Sequence, residues 1–364
     1  MEKETIILTR KIQLFLDCDD KELRSEYFKK LFEWQDIVYR GSNMVLTHQY
    51  IQEQIKDLIY LRDEIKVKLA DFKKDPEGIF TSSKMNTTYR ILNLYFKGKL
   101  PSNIISAMNM TLNRVFSADR SAYWKGEKSL RNYKKDMPIP FSGDQVKLSN
   151  DEKGRDFKLK LFKIPFRTYL GRDRSDKRVL LQRALVGQIK ICTSSIKIVK
   201  GKIFLFLALE LPKKQHELKE HIIAEASLSV EHPITVNIDR DNYQIGNKEE
   251  FLYRRMAIQS ARHRLQKAVA FNNGGHGRKK KLKSLEHFNE KEKRYVDSRL
   301  HLYSRRLIDI CIKSEAGTLL LVNQSNKEEI AKGDEFLLRN WSYYGLIEKI
   351  KYKASMAGIS VIVE

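Results

Sequence analysis

The stretch ITVNIDRDNYQIG (residues 234–246) sets two carboxylates, Asp239 and Asp241, one residue apart where an apolar run ends. Residues i and i+2 of a strand share a face, so such a pair could hold a divalent cation. The plainer alternative is a strand-end turn, where aspartate caps nearby amides. A phosphodiester-cleaving site with two metals needs several carboxylates converging from different strands, with the ions about 4 Å apart. The other strand ends supply little: AGTLLLV (316–322) is followed by Asn323, Gln324 and Ser325, and ISVIV (359–363) by Glu364. HELKEH (216–221) is no zinc-protease helix, because its histidines are five residues apart instead of four. Cys18, Cys192 and Cys311 are isolated and form no CxxC pair, which fits a reducing cytoplasm and leaves a zinc ribbon without ligands.

The elements that must position the aspartates can be read from periodicity. TIILTRKIQLFLD (5–17) alternates as a strand, and the pattern from about 20 to 135 is helical. Within that block, Ile51, Ile55, Leu58, Ile65 and Leu69 are spaced to share one helix face, and Pro101 marks a helix start. Residues 126–140 are polar and turn-rich. FKLKLFKIPF (157–166), ALVGQIKI (184–191) and SIKIVKGKIFLFLALEL (195–211) read as strands, the last folded back at Lys200-Gly201-Lys202. A charged linker (213–231) leads to a strand over 234–239, a helix at 250–271, a glycine break at 272–277 and a long helix at 279–315. A buried strand at 316–322, a helix at 340–357 ended by Gly358, and a final strand at 359–363 complete an α/β pattern.

The chain of 364 residues carries a net charge of +23 with 41% apolar residues, so it is globular and suited to a polyanionic partner. Its apolar run IFLFLAL (203–209) is far too short to span a bilayer, and no membrane partner is expected. Residues 253–314 hold 17 Lys/Arg against 5 Asp/Glu. In the long helix, Val296, Leu300, Tyr303, Leu307 and Ile310 form a packing seam, while Lys291, Arg294, Ser298, His301 and Arg305 follow the same rhythm on the opposite side. A cationic stripe of this kind tracks phosphates and should bind them with steep salt dependence. HGRKKKLK (276–283) adds four adjacent cations near a helix N-terminus.

GHGRKKKLKSLEHFNEKEKRYVDSRLHLYSRRLIDI followed by AGTLLLV and LRNWSYYGLIEKIKYKASMAGISVIV closely resembles the RuvC-like nuclease domain of the TnpB proteins and their descendants, the miniature type V-F CRISPR effectors. GEKSLRNYKKDMPIPF (126–141) and KIPF (163–166) resemble the wedge domain of the type V-F group. The resemblance implies an α/β multidomain chain: a wedge β-barrel (first strand 1–18, remainder 137–232) interrupted by a helical recognition domain (19–136), then a truncated, RNase H-type RuvC-like domain (233–364) without its zinc ribbon.

In that family the nuclease uses an Asp ending the first strand, a Glu ending a later one, and an Asp beyond a four-cysteine ribbon. Asp239 falls on the first position, Val322 on the second, and the chain stops before the third. The resemblance therefore implies an RNA-guided, sequence-specific DNA-binding protein without nuclease activity, needing neither zinc nor catalytic Mg²⁺. Its partners would be a guide RNA and double-stranded target DNA, in the bacterial cytoplasm at the nucleoid. It would act on transcription by blocking a promoter or by recruiting RNA polymerase through a sigma factor, and such effectors often form homodimers. The alternatives are an active endonuclease with a rearranged site drawing on Asp241, Glu364 or Asp334, and a guide-RNA-binding protein with no DNA role. The residues expected to grip nucleic acid are Arg255, Arg262, Arg278, Lys279, Lys280, Lys281, Lys283, Lys291, Arg294, Arg299, Arg305, Arg306 and Arg339, with Trp341 beside the last.

Overall fold

Alternation in TIILTRKIQLFL builds β1 (Thr5–Leu16), with Leu8, Ile12 and Leu14 buried on one face and Ile7 and Phe15 exposed on the other. The computed structural model describes residues 5–59, 83–150, 156–171, 175–212, 216–229, 232–271, 275–322 and 343–364. Among these, no helix is long and apolar enough to cross a membrane. The chain divides into two compact units, residues 1–211 and 212–364.

In the first unit, β1 is followed by α1 (Lys21–Ile59), α2 (Lys84–Phe96) and α3 (Ser102–Trp124). The strands β2 (Ile139–Phe141), β3 (Lys147–Asn150), β4 (Phe157–Leu161) and β5 (Ile164–Tyr169) come next. Then follow α4 (Lys177–Leu185), β6 (Lys190–Ile191), β7 (Ser194–Val199) and β8 (Lys202–Pro212). The strands form one sheet in the order β2-β7-β8-β1-β5-β4-β3, with β6 pairing β8. The first strand thus returns to the later ones across the helical insertion, as the sequence pattern predicts.

The insertion packs on Leu31, Trp34, Val38, Val45 and Leu46 of α1 against Ile104, Ile105, Met108, Leu112 and Phe116 of α3, all buried. Ile51, expected on the buried face, is 49% exposed; Gln49 and Gln52 occupy the interior instead. Ile55 is half-buried, and the side chains of Leu58, Ile65 and Leu69 lie outside the described residues. The polar segment after α3 is tied down by side chains. Asp119 accepts from Lys128 Nζ (2.8 Å) and Arg131 Nε (2.5 Å), and these partners hold its carboxyl well below the usual range. Asn43 clamps Tyr133, donating from Nδ2 to its carbonyl (3.1 Å) and accepting from its amide (2.8 Å).

Two strand assignments in this unit change. FKLKLFKIPF is not one strand but the β4–β5 hairpin, turning at Phe162-Lys163 with φ 51° and 68°. No glycine marks this turn. A left-handed conformation costs an L-residue roughly 1–2 kcal/mol, and the rings of Trp34 (5.7 Å) and Phe141 (6.1 Å) hold Phe162 in place. ALVGQIKI is the end of α4 and the two-residue strand β6, because Leu180 and Leu181 bury a helical face upstream of it. The Lys200-Gly201 turn between β7 and β8 is as expected, with both residues at positive φ.

The second unit consists of β9 (Lys219–Ser227), β10 (Ile234–Ile238), β11 (Asp241–Ile245), α5 (Lys248–Ala270), α6 (Gly275–Lys313), β12 (Ala316–Val322), α7 (Tyr343–Ala357) and β13 (Ser360–Val363). Its sheet runs β11-β10-β9-β12-β13. β10 is antiparallel to both β11 and β9, whereas β12 is parallel to both β9 and β13. The segment read as a charged linker thus contains β9, the central strand, and the second compact unit starts at Pro212. Ala224, Ala226, Val236, Leu319 and Leu321 face Leu300, Tyr303 and Leu307 of α6 and Leu346, Ile350 and Ala354 of α7 in one core. On the other face Ile223, Glu225, Asn237 and Ile362 are exposed. Gly246 (φ 84°) lets the chain leave β11 beneath the core, since a Cβ there would come within 2.8 Å of Tyr303.

Candidate nucleic-acid interface

The helix α5 begins at Asn247, whose side chain accepts from Glu249 N (2.8 Å), satisfying an amide the first turn leaves unpaired. α6 packs back along it, and the expected seam is there: Leu300, Tyr303 and Leu307 are buried, with Val296 and Ile310 packed against the core. On the opposite side Lys291, Arg294, Ser298, His301 and Arg305 are exposed, together with Lys280, Lys283 and Arg306. The pairs Arg294–Glu290 (2.9 Å) and Arg305–Asp309 (2.9 Å) are one helical turn apart and solvated. Such pairs contribute about 0.3–0.5 kcal/mol, so a phosphate can displace the carboxylates.

Three of the expected contacts have other work. Arg255 Nε lies 3.0 Å and Arg262 Nη1 3.2 Å from Glu292, and the Arg255 and Glu292 side chains are each only 12% exposed. Burial raises the Glu292 pKa, but hydrogen bonds from Gln259 and Arg255 outweigh it and leave the carboxyl below its ordinary value. Arg299 pairs with Glu250 (2.7 Å), its guanidinium 5.6 Å from the Tyr295 ring centre. These arginines join α5 to α6. The side chains of Arg278, Lys279 and Lys281, although on α6, lie outside the described residues, as do Arg339 and Trp341.

A cluster the sequence reading missed sits where α7 meets α6. Lys353 Nζ donates to the His301 carbonyl and to Ser304 Oγ (2.9 Å). Burial, with Arg305 and Lys349 nearby, pushes its pKa down to about 8. His301 is lowered too, by burial and by Lys349 and Lys353. Spacing on two separate helices gives no sign of this meeting.

The aspartates sit at a hairpin turn. Asp239 (φ 51°) and Arg240 are the two turn residues between β10 and β11, and Asp241 begins the return strand opposite Ile238. The pair is therefore not i and i+2 of one strand. Asp239 also does not end the first strand of its sheet, because β9 precedes β10. The register gives the separation. Ile238 pairs with Ala224, so Asp239 is level with Ile223, while Val322 pairs with Ser227 at the far end of β9. Four residues along and two strands across amount to about 16 Å at the usual strand spacings. No pair of metal ions about 4 Å apart could bridge that.

At the C-terminal ends of the parallel strands the open face carries Glu225, Ser227, Leu320 and Val322, and Glu364 follows beside Val322, its amide donating to the Leu321 carbonyl (3.0 Å). Glu225 and Glu364 are about 12 Å apart by the same register arithmetic. Among the described residues no group of three or more His, Cys, Asp or Glu could hold a metal ion. The described donors alone do not make up a two-metal centre.

No protein-family model matches the chain. It is 27% identical over 314 residues to the CRISPR-associated endodeoxyribonuclease Cas12f1 of Sulfoacidibacillus thermotolerans, covering 79% of this chain and 73% of that protein. A second match, to the Cas12f1 endodeoxyribonuclease of Syntrophomonas palmitatica, is 41% identical over 88 residues, or 24% of this chain and 17% of the relative. Among solved structures, the protein of a Cas12f1–sgRNA–target DNA complex has the same fold, with a TM-score of 0.72 at 16% identity over 99% of this chain and 89% of that one. The chain is thus a homologue of the miniature type V-F CRISPR effectors.

Proposed function

We propose that the chain is an RNA-guided DNA-binding protein that holds its target without cutting it. The first unit is read as the wedge domain with its helical recognition insertion, the second as the RuvC-like domain. Homology to a protein named as a CRISPR-associated endodeoxyribonuclease, the fold shared with the protein of an sgRNA–target DNA complex, and the exposed cations of α6 support the binding half. The observation that carries the other half is the register: the strand ends that would meet a scissile phosphate present Ser227 and Val322, and Asp239 is about 16 Å away. In such a protein the guide pairs with the target, and the chain grips the heteroduplex by its backbone. Binding without cleavage acts on transcription, by occluding a promoter or by recruiting RNA polymerase through a sigma factor. A homodimer around one guide is part of the same reading.

The test is the full chain, purified with its co-purifying RNA sequenced, on a matched duplex with Mg²⁺. A discrete small RNA and a duplex that is bound yet intact are expected. Cutting that Asp241→Ala or Glu364→Ala abolishes would establish the rearranged nuclease instead. An RNA-loaded chain that binds no duplex would establish a guide-RNA-binding protein alone.

A further inference from the structure

We propose that the outer face of the first-unit sheet, around Phe15 and Tyr169, stacks unpaired nucleotides of a single-stranded RNA. The inference rests on the RNA-bound reading above and adds to it a site on the strands, apart from the basic helices. Phe15 and Tyr169 are 41% and 52% exposed, and their rings meet edge-on with centroids 5.3 Å apart. Large rings at mid-sheet normally turn inward. Here the inward places on the same strands are filled by Leu14 and Phe166. Tyr169 is held over Gly171 (φ 56°), where an added Cβ would lie 3.4 Å from Cζ.

The neighbours of the rings are cationic. Phe15 pairs with Arg167 on β5, Arg167 pairs with Lys158 on β4, and Lys160 pairs with Lys147 on β3. Directly opposed residues share a face, so two like-charge pairs lie side by side next to two exposed rings. Like charges directly opposite are destabilising in a sheet. Asp17 approaches Lys158 at 3.9 Å. A polyanion laid across the strands would relieve this repulsion. Aromatic faces beside a cationic track are what unpaired bases on a phosphate backbone require. Gln13, paired with Tyr169, adds an amide donor and acceptor on the same face for a 2′-hydroxyl. Phe204 is not part of the platform, because Lys11 already lies 4.2 Å over its ring.

The test uses the full chain stripped of nucleic acid, with a ribo-oligouridylate and an oligodeoxythymidylate of ten residues as probes. Stacking contributes about 1–3 kcal/mol per base, so Phe15→Ala with Tyr169→Ala should weaken the ribo-oligomer about ten- to hundred-fold. Phe15→Tyr with Tyr169→Phe should retain binding, and the melting temperature should hold in both variants because the rings are exposed. Ribo-oligomer affinity unchanged by the alanine pair would overturn the proposal, as would equal affinity for the deoxy-oligomer. The outcome is separate from that of the broader reading, which fails on the absence of a co-purifying RNA and not on this affinity.

Discussion

The two faces of the second unit differ in what they keep. Outward on α6, Lys280, Lys283, Lys291, Arg294, Arg305 and Arg306 are exposed, and the carboxylates beside Arg294 and Arg305 are solvated. On the open face of the sheet, the parallel strand ends carry Ser227, Leu320 and Val322, with Glu225 and Glu364 far apart. Gripping a polyanion needs only charge of one sign at helical spacing, which tolerates the loss of any single residue. Cleaving one needs several carboxylates within a few ångströms, and a single replacement breaks it. Binding is the distributed property and catalysis the concentrated one, so a single substitution costs the second more than the first.

The sharpest way to break this contrast is to remove the stripe. Lys291→Ala, Arg294→Ala, Arg305→Ala and Arg306→Ala together should flatten the slope of log K against log salt by about 3, at roughly 0.7–0.9 per lost phosphate contact. Titrating guide RNA at several salt concentrations checks this. An unchanged slope would place the interface elsewhere. The same four positions changed in a chain whose Glu292 is intact should leave the melting temperature nearly unaltered.

Glu292→Ala should act the other way round. It strands Arg255 and Arg262 between two helices, a loss of about 2–3 kcal/mol by the cost of leaving buried charge unpaired. Denaturant unfolding should show it, while the salt slope of the surviving folded protein should not move. A stability loss below about 0.5 kcal/mol would mean that both guanidiniums find other partners and are as available as the outer cations.

The open face can be tested by repair. Ser227 and Val322 are directly paired on adjacent parallel strands, so Ser227→Asp with Val322→Glu sets two carboxylates about 5 Å apart at the backbone. This double variant should bind Mg²⁺, with about 1.4 kcal/mol of added stability once the ion exceeds its dissociation constant tenfold. Val322→Glu alone, left to cooperate with Asp239, should show none. Thermal unfolding with and without Mg²⁺ separates the two.

How much of this was legible depends on whether the signal is local. The α6 seam and the Lys200-Gly201 turn follow from spacing and from glycine chemistry within a few residues. The Phe162-Lys163 turn does not, because its left-handed residues are held by Trp34 and Phe141 from other elements. β9 was hidden for a related reason: KEHIIAEAS is charged at one end, and its fully buried residues are Ala224 and Ala226, poor strand formers. The sign of the arginines was plain, but Glu292 lies 37 residues from Arg255, and no periodicity joins them. The Asp239 reading failed on topology. A strand ending in Ile-Asp looks the same whether it opens its sheet or forms the second arm of a meander.

That last point yields the smallest expected effect and the most pointed one. Asp239 is the first residue of a two-residue turn at φ 51°, a conformation glycine adopts without steric penalty. If its role is confined to the turn, Asp239→Gly should leave stability within about 0.5 kcal/mol of the parent, the relief of the left-handed strain offset by the greater freedom of the unfolded chain. Guide-RNA and duplex affinities should not change. A carboxylate that held a catalytic metal would respond differently: its removal would lower Mg²⁺ affinity and any cutting by orders of magnitude while leaving the turn no worse. Measuring Mg²⁺ binding and unfolding on the same variant distinguishes a turn residue from a ligand, because only a ligand moves the first without the second.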